Sequence, residues 1–213
     1  MNKCIWVALA LAAAVVSQAA ADRTFVLTSV GDVDAALVER IRAHVEEVSG
    51  VVVRPAPAIV VEPGQTLEAM GRAAAKTLGE NDHSIIVLAR PDTDQPQGVC
   101  LPHERFGILN LDRLEANDPG GKFERRAGQD ALRVMSMLLK MSPCPFPLCL
   151  LVGYEKPEDL DQMSGNFCPP CQDRFARLAR EAGLRFVDKP DEAVDAAPAA
   201  EPAPAAEPAP VAE

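Results

Sequence analysis

The chain has 213 residues and a formal charge of −10, with 31 acidic side chains against 21 basic ones. That balance argues against a nucleic-acid partner, because a phosphate backbone is gripped by clustered Lys and Arg. Set apart from its two atypical ends, the chain keeps roughly 165 residues, the size of one domain with a single core.

At the start, Met1-Asn2-Lys3 precedes an apolar run over residues 5–16 and the small residues 17–21. This is the pattern of a secretory signal peptide spanning residues 1–21, and the run is too short to cross a bilayer as a mature helix. The expectation is an exported protein, periplasmic or extracellular, with no membrane span after cleavage and with Cys4 and Trp6 removed. Export matters because thiols oxidise outside the cytosol.

Residues 23–30 read as a strand, and residues 33–49 as a helix with Leu37, Ile41, Val45 and Val48 on one face and Asp32 as its cap. Gly50 marks the end of that helix and residues 51–54 form a second short strand. After the proline-bearing loop 55–64, residues 66–78 read as a second helix. Residues 84–89 are a continuous apolar strand, of the kind buried on both faces. Strand, helix, strand, helix, strand implies a mostly parallel α/β sheet with right-handed crossovers. Residues 98–101 and 106–111 flank the short Pro-His-Glu-Arg connection as a hairpin, which adds an antiparallel edge strand.

Residues 123–141 place Ala127, Leu132, Met135, Leu138 and Leu139 at three- and four-residue steps, predicting a long helix with one apolar face that Ser142-Pro143 stops. Cys144-Pro-Phe-Pro-Leu-Cys149 follows at once, and after a polar loop Cys168-Pro-Pro-Cys171 leads into a last helix over 172–182. Two close pairs joined by a loop that folds back bring four thiolates to one ion, a closed structural zinc site. The same four cysteines can instead pair as two disulfides in an oxidising compartment. A CxxC pair at a helix start also invites a redox reading, but a polar loop rather than a buried strand precedes it. Gln172 in place of histidine excludes c-type haem. Cys100 stands apart on the edge strand, as a buried free thiol or a link between two copies.

From Asp188 on, the composition changes to Ala, Pro and Glu, with seven acids and one lysine, so six of the ten net negative charges lie in this stretch. Such a segment has nothing to bury and reads as an acidic disordered tail, residues 188–213.

The cysteine layout resembles that of the archaemetzincins, zinc peptidases with the motif HExxHxxGxxHC, four residues, Cys-x-Met, a loop of about seventeen residues, then CxxC. Cys144, Cys149, Cys168 and Cys171 stand at the family's spacing, with the loop one residue shorter. Residues 30–34, 110–114 and the order of elements extend the likeness over roughly residues 25–184. The resemblance implies a single metzincin-like domain over residues 22–187, with a Cys4 structural zinc.

The catalytic half of the motif departs from the pattern. The three histidine positions hold Arg133, Met137 and Pro143, the general-base glutamate position holds Val134, the glycine position holds Lys140, and the Met-turn position holds Leu151. Arginine stays charged and cannot ligate, and valine moves no proton. A hydrolytic zinc needs three neutral ligands, an open position and a base. The expectation is therefore a pseudo-peptidase with no catalytic residues, one zinc per chain, and extended peptide or protein segments as candidate partners along the edge strand. The alternative is a metallopeptidase with non-standard ligands. His44, His83 and His103 lie on separate elements, and Arg125, Arg126 and Arg133 read as the solvated face of the long helix or as anchors for a peptide carboxylate.

Overall fold

The computed structural model describes residues 23–116, 118 and 120–188. The expected signal peptide, and all of the expected tail beyond Asp188, lie outside the described residues. The elements in chain order are β1 (Thr24–Val30), α1 (Ala35–Ser49), β2 (Val53–Pro55), α2 (Leu67–Ala75), β3 (Asp82–Ala89), β4 (Gly98–Leu101), β5 (Phe106–Asn110), α3 (Leu111–Glu115), α4 (Phe123–Leu138) and α5 (Pro169–Glu181). The sheet runs β2-β1-β3-β5-β4, parallel except for β4, which pairs antiparallel with β5. This is the mixed sheet with an antiparallel edge that the element order implies.

Alternation along the strands splits the core into two layers. Phe25 and Leu27 of β1 and Ile86 and Leu88 of β3 face α1, α4 and α5. Val26, Val30, Ile85 and Val87 face α2. Both faces of β1 and β3 are thus covered, which is why these strands carry near-continuous apolar runs. After α5 the chain returns to the sheet, where Leu184 bridges Arg23 and Phe186 bridges Val51.

Three local expectations are corrected. The cap of α1 is Asp34, whose side chain accepts from the Ala36 amide at 3.1 Å, and not Asp32. The chain turns first through Gly31, at φ +83°, so the helix starts two residues later than its apolar pattern suggests. The strand read over 106–111 stops at Asn110, which caps a short helix from Leu111 by accepting from the amides of Asp112 and Arg113. Finally, α4 is not amphipathic with a solvated face. Arg126, Gln129, Asp130 and Arg133 are buried along with its apolar residues.

Two of the three arginines of α4, Arg126 and Arg133, are accordingly neither solvated nor open to a ligand, whereas Arg125 in the first turn stays exposed. Arg126, 2% exposed, donates to both carboxylate oxygens of Asp161 and to the Leu114 carbonyl. Arg125 donates to the Met163 carbonyl. Arg133 donates to the carbonyls of Leu150 and Val152, the latter at 2.7 Å, and stacks over the Tyr154 ring at 4.6 Å. A sequence pattern shows which positions are polar. It does not show that a later loop will fold over them.

Helix α4 ends in a left-handed turn. The Lys140 amide donates to Met137 and the Met141 amide to Ser136, with Lys140 at φ +60°. This paired closure favours glycine at the turning residue. A side chain there is strained by about 1 kcal/mol, so Lys140→Gly is expected to stabilise the protein by about 1 kcal/mol in chemical denaturation.

Burial lowers the pKa of His83 from 6.5 to about 4, with its ring against Phe25 and its Nδ1 beside the Ser84 hydroxyl. The folded pKa lies below the unfolded one, so the neutral ring adds no penalty above pH 6.5. Stability falls as pH drops from there towards 4. In His83→Phe the loss of stability over that window should be smaller, read as the urea midpoint against pH.

Candidate metal centre

The four cysteines reach one point from three directions. Helix α4 stops at Lys140 and delivers Cys144; a tight loop, in which the Cys149 amide donates to the Phe146 carbonyl at 3.0 Å, turns Cys149 back into the interior. Cys168 caps α5 and Cys171 sits in its first turn, with prolines at the first positions where no amide partner is needed. All four Sγ atoms lie within 4.8 Å of one another, and Cys144 and Cys168 are 3.8 Å apart. Sulfurs around a tetrahedral zinc, each ~2.3 Å from it, stand about 3.8 Å apart. None of the five described cysteines is joined in a disulfide, and the convergence of four sulfurs on one point suits a shared ion better than two separate bridges.

The surrounding chemistry also fits a thiolate cluster. Amides of Leu151 and Cys168 approach the Cys149 sulfur at 3.5 Å, and the Phe146 amide approaches Cys144 at the same distance. Such N–H donors orient thiolates and spread their charge. The Cys171 amide, at the start of α5, holds the Cys168 thiol below its ordinary pKa. Burial pushes Cys149 and Cys171 up, and each is raised further by the neighbouring sulfurs. Four thiols this close resist ionising together; a dication removes that obstacle. With four protein ligands no position is left for water, so a metal here holds the loop and α5 together and activates nothing.

The remaining candidates separate. Cys100 is a half-buried free thiol on β4, raised to about 11 by burial. It lines a cleft of about 430 Å3 with Gln97, Val99, Asp130, Val134 and Tyr154. His44 lies against Gly128 of α4, His83 opens β3 and His103 sits exposed in the turn before β5. The cysteine quartet is the group of three or more His, Cys, Asp or Glu side chains suited to a metal among the described residues.

The cleft contains a feature that spacing alone could not reveal. The Tyr154 hydroxyl donates to Asp130 at 2.8 Å and contacts the Gln97 amide group, joining the loop after Cys149, helix α4 and the approach to β4. Asp130 is fully buried, and desolvation raises its pKa. Tyr154 is the chain's single tyrosine, which was the available signal.

Cys149→Ser is expected to weaken zinc binding by at least ~100-fold and to lower the melting temperature of the protein. Zinc content per chain and a thermal melt, each with and without added chelator, check this.

No protein-family model matches the chain, and no curated protein matches it. Solved structures do. Archaemetzincin from Methanopyrus kandleri is 17% identical, with 75% of this chain and 97% of that one covered and a TM-score of 0.61. A zinc-dependent peptidase from Methanocorpusculum labreanum is 14% identical, with 71% and 100% covered and a TM-score of 0.59. Archaemetzincin from Archaeoglobus fulgidus, complexed with malonate, is 15% identical, with 71% and 99% covered and a TM-score of 0.55. The likeness is one of architecture: this chain has the archaemetzincin fold, with four cysteines gathered where one metal ion fits.

Proposed function

We propose that this is an exported pseudo-peptidase, held together by one structural zinc on Cys144, Cys149, Cys168 and Cys171, that binds extended peptide or protein segments instead of cleaving them. The observation that carries the reading is the state of Arg133. It stands at the first metal-ligand position of the resembled motif. Its guanidinium is engaged by two main-chain carbonyls, stacked on Tyr154 and 3.7 Å from Asp130.

The neighbouring positions support the same reading. Val134, at the general-base position, packs into β5 so closely that a Cβ on Gly107 would lie 2.2 Å from its Cγ1. Met137 and Pro143 offer no imidazole. A cation fixed against the turn at Leu150–Val152 provides charge and rigidity, but it has no vacant site to polarise a carbonyl or ionise a water.

The binding half of the reading rests on β4. The Asn110 amide donates to Gln97 at 2.8 Å, and the ladder pairs Val99 with Ile108 and Leu101 with Phe106. In an antiparallel ladder the bonded pairs alternate, so the amides and carbonyls of Gly98 and Cys100 point to the open edge, beside the cleft. An added strand would bond there. Residues 1–21 would direct export, and the protein recovered from the envelope or medium should begin at Asp22.

The test combines hydrolysis with binding. Zinc-loaded protein should release nothing from a fluorogenic peptide library, while unstructured decapeptides should shift the amide resonances of Gly98 and Cys100. Turnover that a chelator abolishes and zinc restores, with two zincs per chain, would establish the metallopeptidase with unrecognised ligands instead. Shifts nowhere along β4 would remove the peptide-binding half.

A further inference from the structure

The cleft beside β4 carries charge of one sign. The charged side chains that line its 430 Å3 are Asp130, from α4, and Glu155, from the loop after Cys149. Glu155 stands exposed at the mouth and makes no ion pair among the described residues. Arg133, 3.7 Å from Asp130, is already shared between the Leu150 and Val152 carbonyls and the Tyr154 ring.

Asp130 presents one oxygen to this space. Its Oδ1 accepts from the Tyr154 hydroxyl at 2.8 Å and is the oxygen that faces Arg133. Its Oδ2 takes no hydrogen bond of normal geometry among the described residues, yet it is not one of the fully enclosed atoms that lack a partner. The surface that Asp130 keeps, 6% of its side chain, is therefore turned to the cleft. Desolvation raises its pKa even with Tyr154, Arg133 and Gln97 around it, so the carboxylate has less compensation here than in water. An ammonium group supplies what is missing.

The sheet register says how such a group arrives. Cys100 pairs with Gly107, and a Cβ on Gly107 would meet both Val134 and the Cys100 sulfur, so Cys100 faces α4. Gly98, two residues earlier, shares that face. A strand added to the open edge of β4 puts the residue opposite Gly98 on the same side, where no side chain of β4 competes for the space. The aliphatic stem of a long side chain would lie along Val134 and Met137, the latter 37% exposed. Lysine suits this better than arginine. A guanidinium fork needs both carboxylate oxygens and Oδ1 is taken, whereas a compact ammonium has three donors to divide between Oδ2 and Glu155.

We infer that the cleft is a subsite for a lysine side chain of the bound peptide, at the position facing Gly98, with Asp130 Oδ2 and Glu155 receiving its ammonium. The inference rests on the reading of β4 as a peptide-binding edge and names the residue which that edge selects.

The test titrates zinc-loaded, 15N-labelled protein with decapeptides of Ser, Thr and Val that differ at one central residue, lysine, norleucine or glutamate. The lysine peptide should shift the Gly98 and Cys100 amides with about tenfold higher affinity than the norleucine peptide, and the glutamate peptide should be the weakest. Asp130→Asn should remove the preference while the norleucine peptide still shifts both amides. Glu155→Gln, at an exposed position where folding is not at stake, should reduce the preference about threefold. Equal affinity for the lysine and norleucine peptides overturns the subsite and leaves the strand site standing. n-Butylammonium, with n-butanol as the uncharged control, needs no added strand and should shift the Asp130 and Tyr154 amides where the alcohol does not. If it does so while no peptide binds, the edge reading fails and the cation site stands; if neither binds, both are overturned.

Discussion

Two guanidinium groups project from the helix at the centre of this molecule into places where water does not follow, and a buried cation is tolerated only when acceptors surround it. Arg126 finds them in Asp161 and the Leu114 carbonyl, and Arg133 in the carbonyls of Leu150 and Val152. All but one of these acceptors belong to the stretch between Cys149 and Cys168. The loop is therefore shaped by what the helix beneath it requires. The Arg126 guanidinium holds the Asp161 carboxyl below its usual range, which marks the pair as ionised in the fold.

The cysteine cluster closes the same loop from its ends. Cys144 and Cys149 stand before it, Cys168 and Cys171 after it, and the sulfurs converge within 4.8 Å. A metal there would act on the same segment of chain as the two arginines, at its base where they act along its length. Tyr154, in the middle, then reaches across to Asp130 and Gln97 and forms a wall of the cleft beside β4. The cleft is thus a product of the loop, and its polar groups are already tied to one another. That differs from a site with an open metal position, whose ligands are held ready for a substrate or a water.

Lys140 holds a backbone shape that suits glycine better. The helix ends in a paired left-handed closure at the position where the resembled motif has glycine, and lysine adopts φ +60° there. The turn persists because Ser136 and Met137 offer their carbonyls to it and because Met141 and Cys144 beyond it are needed on the inner side.

Much of this was legible along the chain. The strands β1 and β3, the β4–β5 hairpin, the helix end at Gly50 and the cysteine spacing follow from local rules: apolar period, turn chemistry and ligand reach are properties of neighbouring residues. What neighbours do not carry is the environment made by distant ones. The polar side of α4 looked solvent-facing because nothing near Arg126 or Arg133 says that residues 150–162 will lie across them. Asp34 displaced Asp32 as cap because a turn at Gly31 has to pass the Arg90 carbonyl, which would stand 2.4 Å from any Cβ placed there. The sequence by itself determined the order of elements and the paired spacing of the four cysteines, since both are properties of neighbouring residues. Only the tertiary structure decided that Arg133 is locked to main-chain carbonyls and that Tyr154 closes the cleft over Asp130, because burial and acceptor geometry exist only once the loop has folded back.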